Sequence, residues 1–260
     1  MPEGHPKGEL HTEISKVELH RILVRGRDLT GDLVGNTSFT EMVGLMLQKR
    51  LPMASEARML DALLVILAEH GVQPVLAARL TYYQAPESIQ GAVAAALLGA
   101  GSKHLGTSEW CARLLQEARP DTGDADAIEA AAVRIVDDYV ARHAFIPGIG
   151  HRTHGEGDPR AVRLFEIAHE TGMYGPHCVL LDRISAVAET RLGRPLAVNV
   201  TGAIAAIASD MGFRWEITKA FALIGRTLGA LAHIQEEMDR PLHPTIKSLI
   251  DGAIVYDSGE

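Results

Sequence analysis

A chain of 260 residues can bury a core of its own, and 47% hydrophobic with only 5% aromatic content puts the apolar load on alanine and leucine, which favours helix over strand. A net charge of −8 and a pI near 5.8 exclude the basic footprint of a nucleic-acid-binding protein. Cys111 and Cys178, the only cysteines, lack metal-ligand spacing and fit free thiols in a reducing cytoplasm, while the polar N-terminus and short or charge-broken apolar runs fit neither a secretory signal nor a membrane span.

Residues 1–13 read as a loose polar arm. Ile22 to Val24 read as a short strand, with Gly26 turning the chain behind it. Ser38-Phe-Thr-Glu41 fits a capping box that opens a helix carrying Phe39, Met42, Val43 and Met46 on one face. Beyond Pro52, Leu60, Leu63, Leu64 and Leu67 mark a second helix that stops at His70-Gly71. Segments 76–84 and 87–99 give two more, the latter apolar on almost every side and so expected to be buried. Gly99 to Gly106 interrupts the pattern, and Thr107 or Ser108 caps the helix of Trp110, Leu114 and Leu115.

Arg119 to Asp124 is turn-rich and reads as a connection. Ile128, Ala132, Ile135, Val136, Tyr139 and Val140 then recur at helical period. Helices follow at about 160–170 and 178–192, the second ended by Pro195. Asn199 to Gly202 opens a small-residue helix reaching Met211, and 216–238 form a long one stopped by Pro241 and Pro244. Only residues 20–25 suggest a strand, so the fold class is all-α.

The densest chemistry lies between Phe145 and Arg160, with four glycines, two prolines, two histidines, two arginines and two acids. Glycine and proline fix an irregular backbone that a ligand can approach, His151 can move a proton near neutral pH, and Arg160 can fork onto a carboxylate. A solvated surface loop is the alternative. His70, His104 and His151 each sit at a break between apolar helices, and packed helices bring such breaks to one end of a bundle. Arg226, inside a mostly apolar helix between Gly225 and Gly229, needs an acidic partner, either an anionic ligand or a structural Asp or Glu. His151, His154 and Arg142-His143 offer no third ligand at a metal-binding interval, so no metal is expected. Gly148-Ile149-Gly150 follows no strand and is not a dinucleotide fingerprint.

Taken in order, these segments match a known pattern: Ile22 to Leu29, Ser38 to Val43 with Leu51-Pro52, Ala68-Glu-His70, Gly101-Ser-Lys-His104-Leu-Gly106, Gly148-Ile-Gly-His151-Arg152, Gly157-Asp-Pro-Arg160, Asn199-Val-Thr-Gly202, and Gly225-Arg226 through His233. The chain resembles the citrate synthase superfamily, most closely its citryl-CoA lyase-like branch. The resemblance implies a mostly helical homodimer or higher homo-oligomer. Its large domain would come from residues 1–107 and 196–260, with a small helical domain at 108–195 that closes on substrate. It implies joining or cleaving of a carbon–carbon bond between acetyl-CoA and a keto acid such as oxaloacetate, with the coenzyme A thioester as substrate and neither nucleic acid nor membrane as partner. His104 would then hydrogen-bond the enolate oxygen, and His151 would exchange a proton at the tertiary carbon. His70, Arg160 and Arg226 would hold carboxylates, and the loop of Gly148, Ile149, Gly150 and Arg152 would touch coenzyme A.

Two departures bear on activity. The family's carboxylate, third in its Asn-Val-Asp motif, is Thr201 here, and loss of a positioned base typically costs on the order of 10²–10⁴-fold. Asp210 lies about 13 Å further along a helix at 1.5 Å per residue, too far to stand in. Leu105 replaces a glycine after the first turn histidine and limits backbone freedom there. Three readings of function follow: a lyase that cleaves a 3-hydroxyacyl-CoA such as citryl-CoA or runs the reverse condensation, a catalytically impaired homologue that binds a CoA ester or carboxylate, or an enzyme on a different substrate with Thr201 hydrogen-bonding a substrate group.

Overall fold

The computed structural model describes residues 9–101, 107–118, 124–150 and 157–257, in two compact units, 1–61 and 62–260. In the first, three antiparallel strands, β1 (Ser15–Glu18), β2 (Arg21–Val24) and β3 (Arg27–Asp28), pair in sequence order. Arg25 and Gly26 both take positive φ (49° and 78°), the backbone that a two-residue hairpin turn requires. The strand expected at 22–24 is thus the middle of a small sheet whose outer members carry a single apolar residue, Val17, and so show no period in the sequence. A π-helical turn (Leu29–Leu33) leads to α1 (Phe39–Gln48). Ser38 and Glu41 close the capping box reciprocally, a device that contributes about 1 kcal/mol. Arg25 Nη2 donates to the Met46 carbonyl at 2.7 Å, so the hairpin turn satisfies one of the free carbonyls ending α1.

Helix α2 (Ala54–Ala68) begins in this unit, where Glu56 accepts a two-pronged contact from Arg50 at 2.6 Å on each oxygen. In the second unit α3 (Leu76–Gln84) and α4 (Ile89–Leu98) form a pair against α10 (Trp215–Asp239). Buried Arg79 of α3 reaches Glu237 of α10 at 2.5 Å and Glu236 at 3.0 Å, while Glu237 also accepts from the amides of Leu242 and His243. Every charge in that buried cluster has a partner, as burial demands. The expectation that α4 is wholly buried is corrected: Ala92 and Ala96 are covered, but Leu98 is 87% exposed. Its inner face packs on α3 and α10, while Ile89 and Leu98 are exposed.

The remaining helices are α5 (Thr107–Ala118), α6 (Ala125–Ala141), α7 (Pro159–Thr171), α8 (Pro176–Leu192), α9 (Val200–Asp210) and α11 (His243–Ala253). The core sits around α9, which packs on α5, α7, α8 and α10. Gly202 and four alanines (203, 205, 206, 208) keep α9 thin enough for those neighbours to approach, and all five are buried. Asp210 ends α9 by accepting from the amides of Gly175, His177 and Cys178 at 2.9–3.0 Å, so it caps α8 across the core. Helix α11 was not anticipated. Pro244 falls in its first turn, where the missing N–H costs nothing, so it starts a helix as well as following one. Among the described residues no single helix is long and apolar enough to cross a membrane.

Candidate active site

The loop at 146–150 is held by the start of α9. Ile149 bridges to Val198, Gly150 N–H donates to the Ala197 carbonyl at 2.8 Å, and Asn199 N–H donates to the Gly148 carbonyl at 3.0 Å. Gly148 has φ +92° and lies so close to α9 that a Cβ would sit 3.0 Å from the Gly202 Cα and 2.5 Å from Cys111 Sγ. Two glycines therefore face each other because nothing larger fits. Burial pushes the Cys111 thiol up to about 12, so it stays a neutral packing group under Gly148. Gly148 and Ile149, expected to touch coenzyme A, are themselves buried.

Asn199 caps α9 and also fixes this loop. Its Oδ1 accepts from Gly202 N–H (3.1 Å) and from the Thr201 hydroxyl (2.7 Å), and its Nδ2 donates to the Gly150 carbonyl (2.8 Å). Thr107, opening α5, donates its hydroxyl to Thr201 Oγ1 at 3.0 Å. Asp158 serves two helix starts at once. It caps α7 through the Arg160 amide and accepts from Val200 N–H, the first residue of α9, both at 3.0 Å. Arg160 closes on the same carboxylate with Nε at 3.0 Å and Nη2 at 2.9 Å. Burial alone would raise the Asp158 carboxyl, but the Arg160 donors, the two amides and the Arg160 charge hold it below its ordinary value.

Arg226 sits elsewhere in the same unit and in an opposite state. Gly225 and Gly229 let α10 meet the end of α2 backbone to backbone: a Cβ on Gly225 would lie 2.9 Å from the Leu64 carbonyl oxygen, and one on Gly229 would strike that of Ala68. Between them Arg226 is 3% exposed, with Nε and Nη1 lacking any hydrogen-bond partner among the described residues. Glu69 Oε2 stands 3.7 Å from Nη1, beyond hydrogen-bonding range, and instead meets His233 Nε2 at 3.1 Å. Burial draws Arg226 below the ordinary guanidinium range, with the Glu69 charge opposing. His70, next to Glu69, is exposed. Glu69 and His233 did not appear among the expected site residues, although His233 follows Arg226 by seven positions, two turns on one helix face.

His104, His151 and Arg152 lie outside the described residues. Thr107 directly follows residues 102–106, and Gly150 directly precedes His151. Thr201, Asn199, Gly150 and Thr107 are brought together, Arg160 is tied to Asp158 at the same helix start, and Arg226 with Glu69 and His233 forms a second polar group at the α2–α10 crossing. Among the described residues no three His, Cys, Asp or Glu side chains are grouped as a metal ion requires.

The family model for the citrate synthase C-terminal domain matches residues 52–247. The chain is similar to the citryl-CoA lyase of Hydrogenobacter thermophilus, with 35% identity over 96% of this chain and 94% of that one, and a TM-score of 0.84. It shares its fold with an ATP citrate lyase of Methanosaeta concilii solved with (3S)-citryl-CoA: 21% identity, 98% of this chain but 42% of that one, TM-score 0.73. It likewise shares the fold of the citrate synthase of Thermotoga maritima: 20% identity, 77% of this chain and 54% of that one, TM-score 0.62. A search of the curated proteins finds no match. A family model covering most of the length and a relative more than 30% identical over nearly the whole chain lead to one conclusion: the chain belongs to the citrate synthase family.

Proposed function

We propose that this protein is a lyase of the citryl-CoA type, cleaving a 3-hydroxyacyl-CoA thioester such as citryl-CoA to acetyl-CoA and a keto acid such as oxaloacetate. The observation that carries the reading is Arg226: a buried cation whose Nε and Nη1 hydrogens have no hydrogen-bond partner among the described residues, with Glu69 beside it and His233 on Glu69. Leaving such donors unmade costs about 1–3 kcal/mol each, a penalty that a substrate carboxylate removes. The similarity to a citryl-CoA lyase supports the substrate class.

In this reading His151 takes the proton from the tertiary hydroxyl. The carbon–carbon bond breaks, its electron pair passes into the thioester as an enolate, and the hydroxyl carbon becomes the ketone of oxaloacetate. His104 donates to the enolate oxygen, and water protonates the carbon to give acetyl-CoA. His70, Arg160 and Arg226 hold carboxylates, with Arg160 sharing its free edge while Asp158 fixes its plane. Gly148, Ile149 and Gly150 set the wall on which Arg152 meets coenzyme A. Cleavage is the favoured direction, because the reverse condensation needs a base for the acetyl methyl group and Thr201 supplies none. The protein would work as a homodimer or larger homo-oligomer, with 108–195 as the small domain; the bare apolar face of α4 around Leu98 supports association.

The test is purified protein with citryl-CoA and, separately, with acetyl-CoA plus oxaloacetate. Release of oxaloacetate from citryl-CoA, faster than condensation, is expected. Binding of coenzyme A or a tricarboxylate with no turnover of either would favour the second reading, a CoA-ester or carboxylate-binding homologue, which Thr201 at the family's carboxylate position favours.

A further inference from the structure

The side chains that open α9 form a hydrogen-bond chain whose direction is fixed from its far end. Gly202 N–H can only donate, so Asn199 Oδ1 is the atom facing it; the Gly150 carbonyl can only accept, so Nδ2 faces that. Oδ1 being an acceptor, Thr201 must give it its one hydroxyl proton. Thr201 Oγ1 is then left as an acceptor, and Thr107 must donate to it. The donors therefore run one way, Thr107 to Thr201 to Asn199 to Gly150. Thr201 has no proton to give and no basicity to take one, so it holds rather than transfers.

We propose that Thr107 is a positioning residue for the lyase reaction, acting through Thr201 and Asn199. The links span 94 residues from Thr107 to Thr201 and 49 from Asn199 back to Gly150. Their two ends are the residue that continues the His104 segment and the residue that precedes His151. One chain of side-chain bonds thus ties the start of α5 to the start of α9 and to Gly150. This rests on the proposed roles of those histidines. A hydroxyl lost at position 107 frees the Thr201 rotamer, and Asn199 then loses a held donor on the oxygen that fixes its plane.

The experiment is steady-state cleavage of citryl-CoA by the full chain carrying Thr107→Val or Thr107→Ser. Valine keeps the shape and removes the hydroxyl, so kcat should fall about tenfold with KM changed by less than about twofold. Serine restores the hydroxyl and should return kcat to within about twofold of the parent. Thr107→Val combined with Thr201→Val should cost no more than the worse single change, because both cut the same chain. Unchanged kcat in Thr107→Val, a loss that serine does not restore, or additive losses would each overturn the proposal. Should Thr107→Val not fold, Thr107→Ala is read by the same criteria. If the parent protein does not cleave citryl-CoA, the functional reading fails alone, and amide hydrogen exchange at Gly202 decides this proposal. Faster exchange in Thr107→Val but not in Thr107→Ser upholds Thr107 as the residue that positions Thr201 and Asn199, whatever reaction they serve; exchange equal in both overturns it.

Discussion

Arg160 and Arg226 are the same side chain in opposite settings. Arg160, 23% exposed at its side chain, forks onto a carboxylate that also serves two helix N-termini. Arg226, 3% exposed, stands 3.7 Å from the Glu69 carboxylate, with the three hydrogens of Nε and Nη1 unmet among the described residues. The first arrangement fastens α7 to α9. The second leaves a buried charge without hydrogen bonds on Nε and Nη1, an arrangement that costs the fold stability and that fits the carboxylate-binding role proposed above. The difference teaches that two helix arginines of the same chain can be read apart only by counting which donors are met.

The largest effect expected from breaking this contrast is at Asp158. Asp158→Ala removes the cap of α7, the acceptor for Val200 and the partner of Arg160 together. Removing one member of a buried pair typically costs about 3–5 kcal/mol, and the denaturant midpoint should fall accordingly. A loss under about 1 kcal/mol would mean that Asp158 does not join the two helices as described.

Arg226→Met should behave in the reverse way. An apolar side chain of similar length removes a buried charge whose Nε and Nη1 have no hydrogen-bond partner among the described residues, so the thermal midpoint should hold or rise. Cleavage of citryl-CoA should lose about 100-fold in kcat/KM, or about 2.7 kcal/mol, the scale of hydrogen bonds to a charged group. Arg160→Met sharpens the comparison, because it should lower stability where Arg226→Met does not. Two arginine variants with the same stability change would erase the distinction.

A smaller effect tests how Arg226 is placed. Gly229→Ala puts a methyl group against the Ala68 carbonyl, so α10 must withdraw from the end of α2 at a cost of about 1–3 kcal/mol. Gly252→Ala, in α11 where nothing lies within 4 Å, is the control and should hold the midpoint or raise it slightly, as alanine favours helix over glycine.

Local rules made much of this architecture legible. Ser38 and Glu41 announced their capping box, and Asn199 announced the start of α9, because each acts within three residues of its own position. The ordered histidine and arginine motifs carry the family resemblance in the sequence itself. What stayed hidden depends on distant partners. Val200 and Asp158 are 42 residues apart, so nothing in the local pattern of Gly157 to Arg160 shows that its acid also caps α9. Arg226 offered two kinds of partner in the sequence, and only geometry shows that Glu69 falls short of it. The uncovered face of α4 is hidden for the same reason, since burial belongs to neighbours and not to the helix.

The smallest prediction concerns acid. The Asp158 carboxyl is held below its ordinary value of 3.8 even though burial pulls it upward, and Asp210 is depressed in the same direction by His177, Cys178 and their amides against its own burial. A depressed folded value means that the unfolded chain binds more protons at low pH. The stability these acids supply is therefore complete well above 3.8 and is lost as pH falls through their folded values. Asp158→Asn removes one share, so its unfolding free energy should decline less steeply than the parent's between about pH 5 and pH 3, and adding Asp210→Asn should flatten the decline further. Arg226 is charged throughout that window and contributes no slope to it, so Arg226→Met should run parallel to the parent. If Asp158→Asn also ran parallel, the acid would be equally protonated in both states, and the account of Arg160 as a guanidinium already satisfied would fail with it.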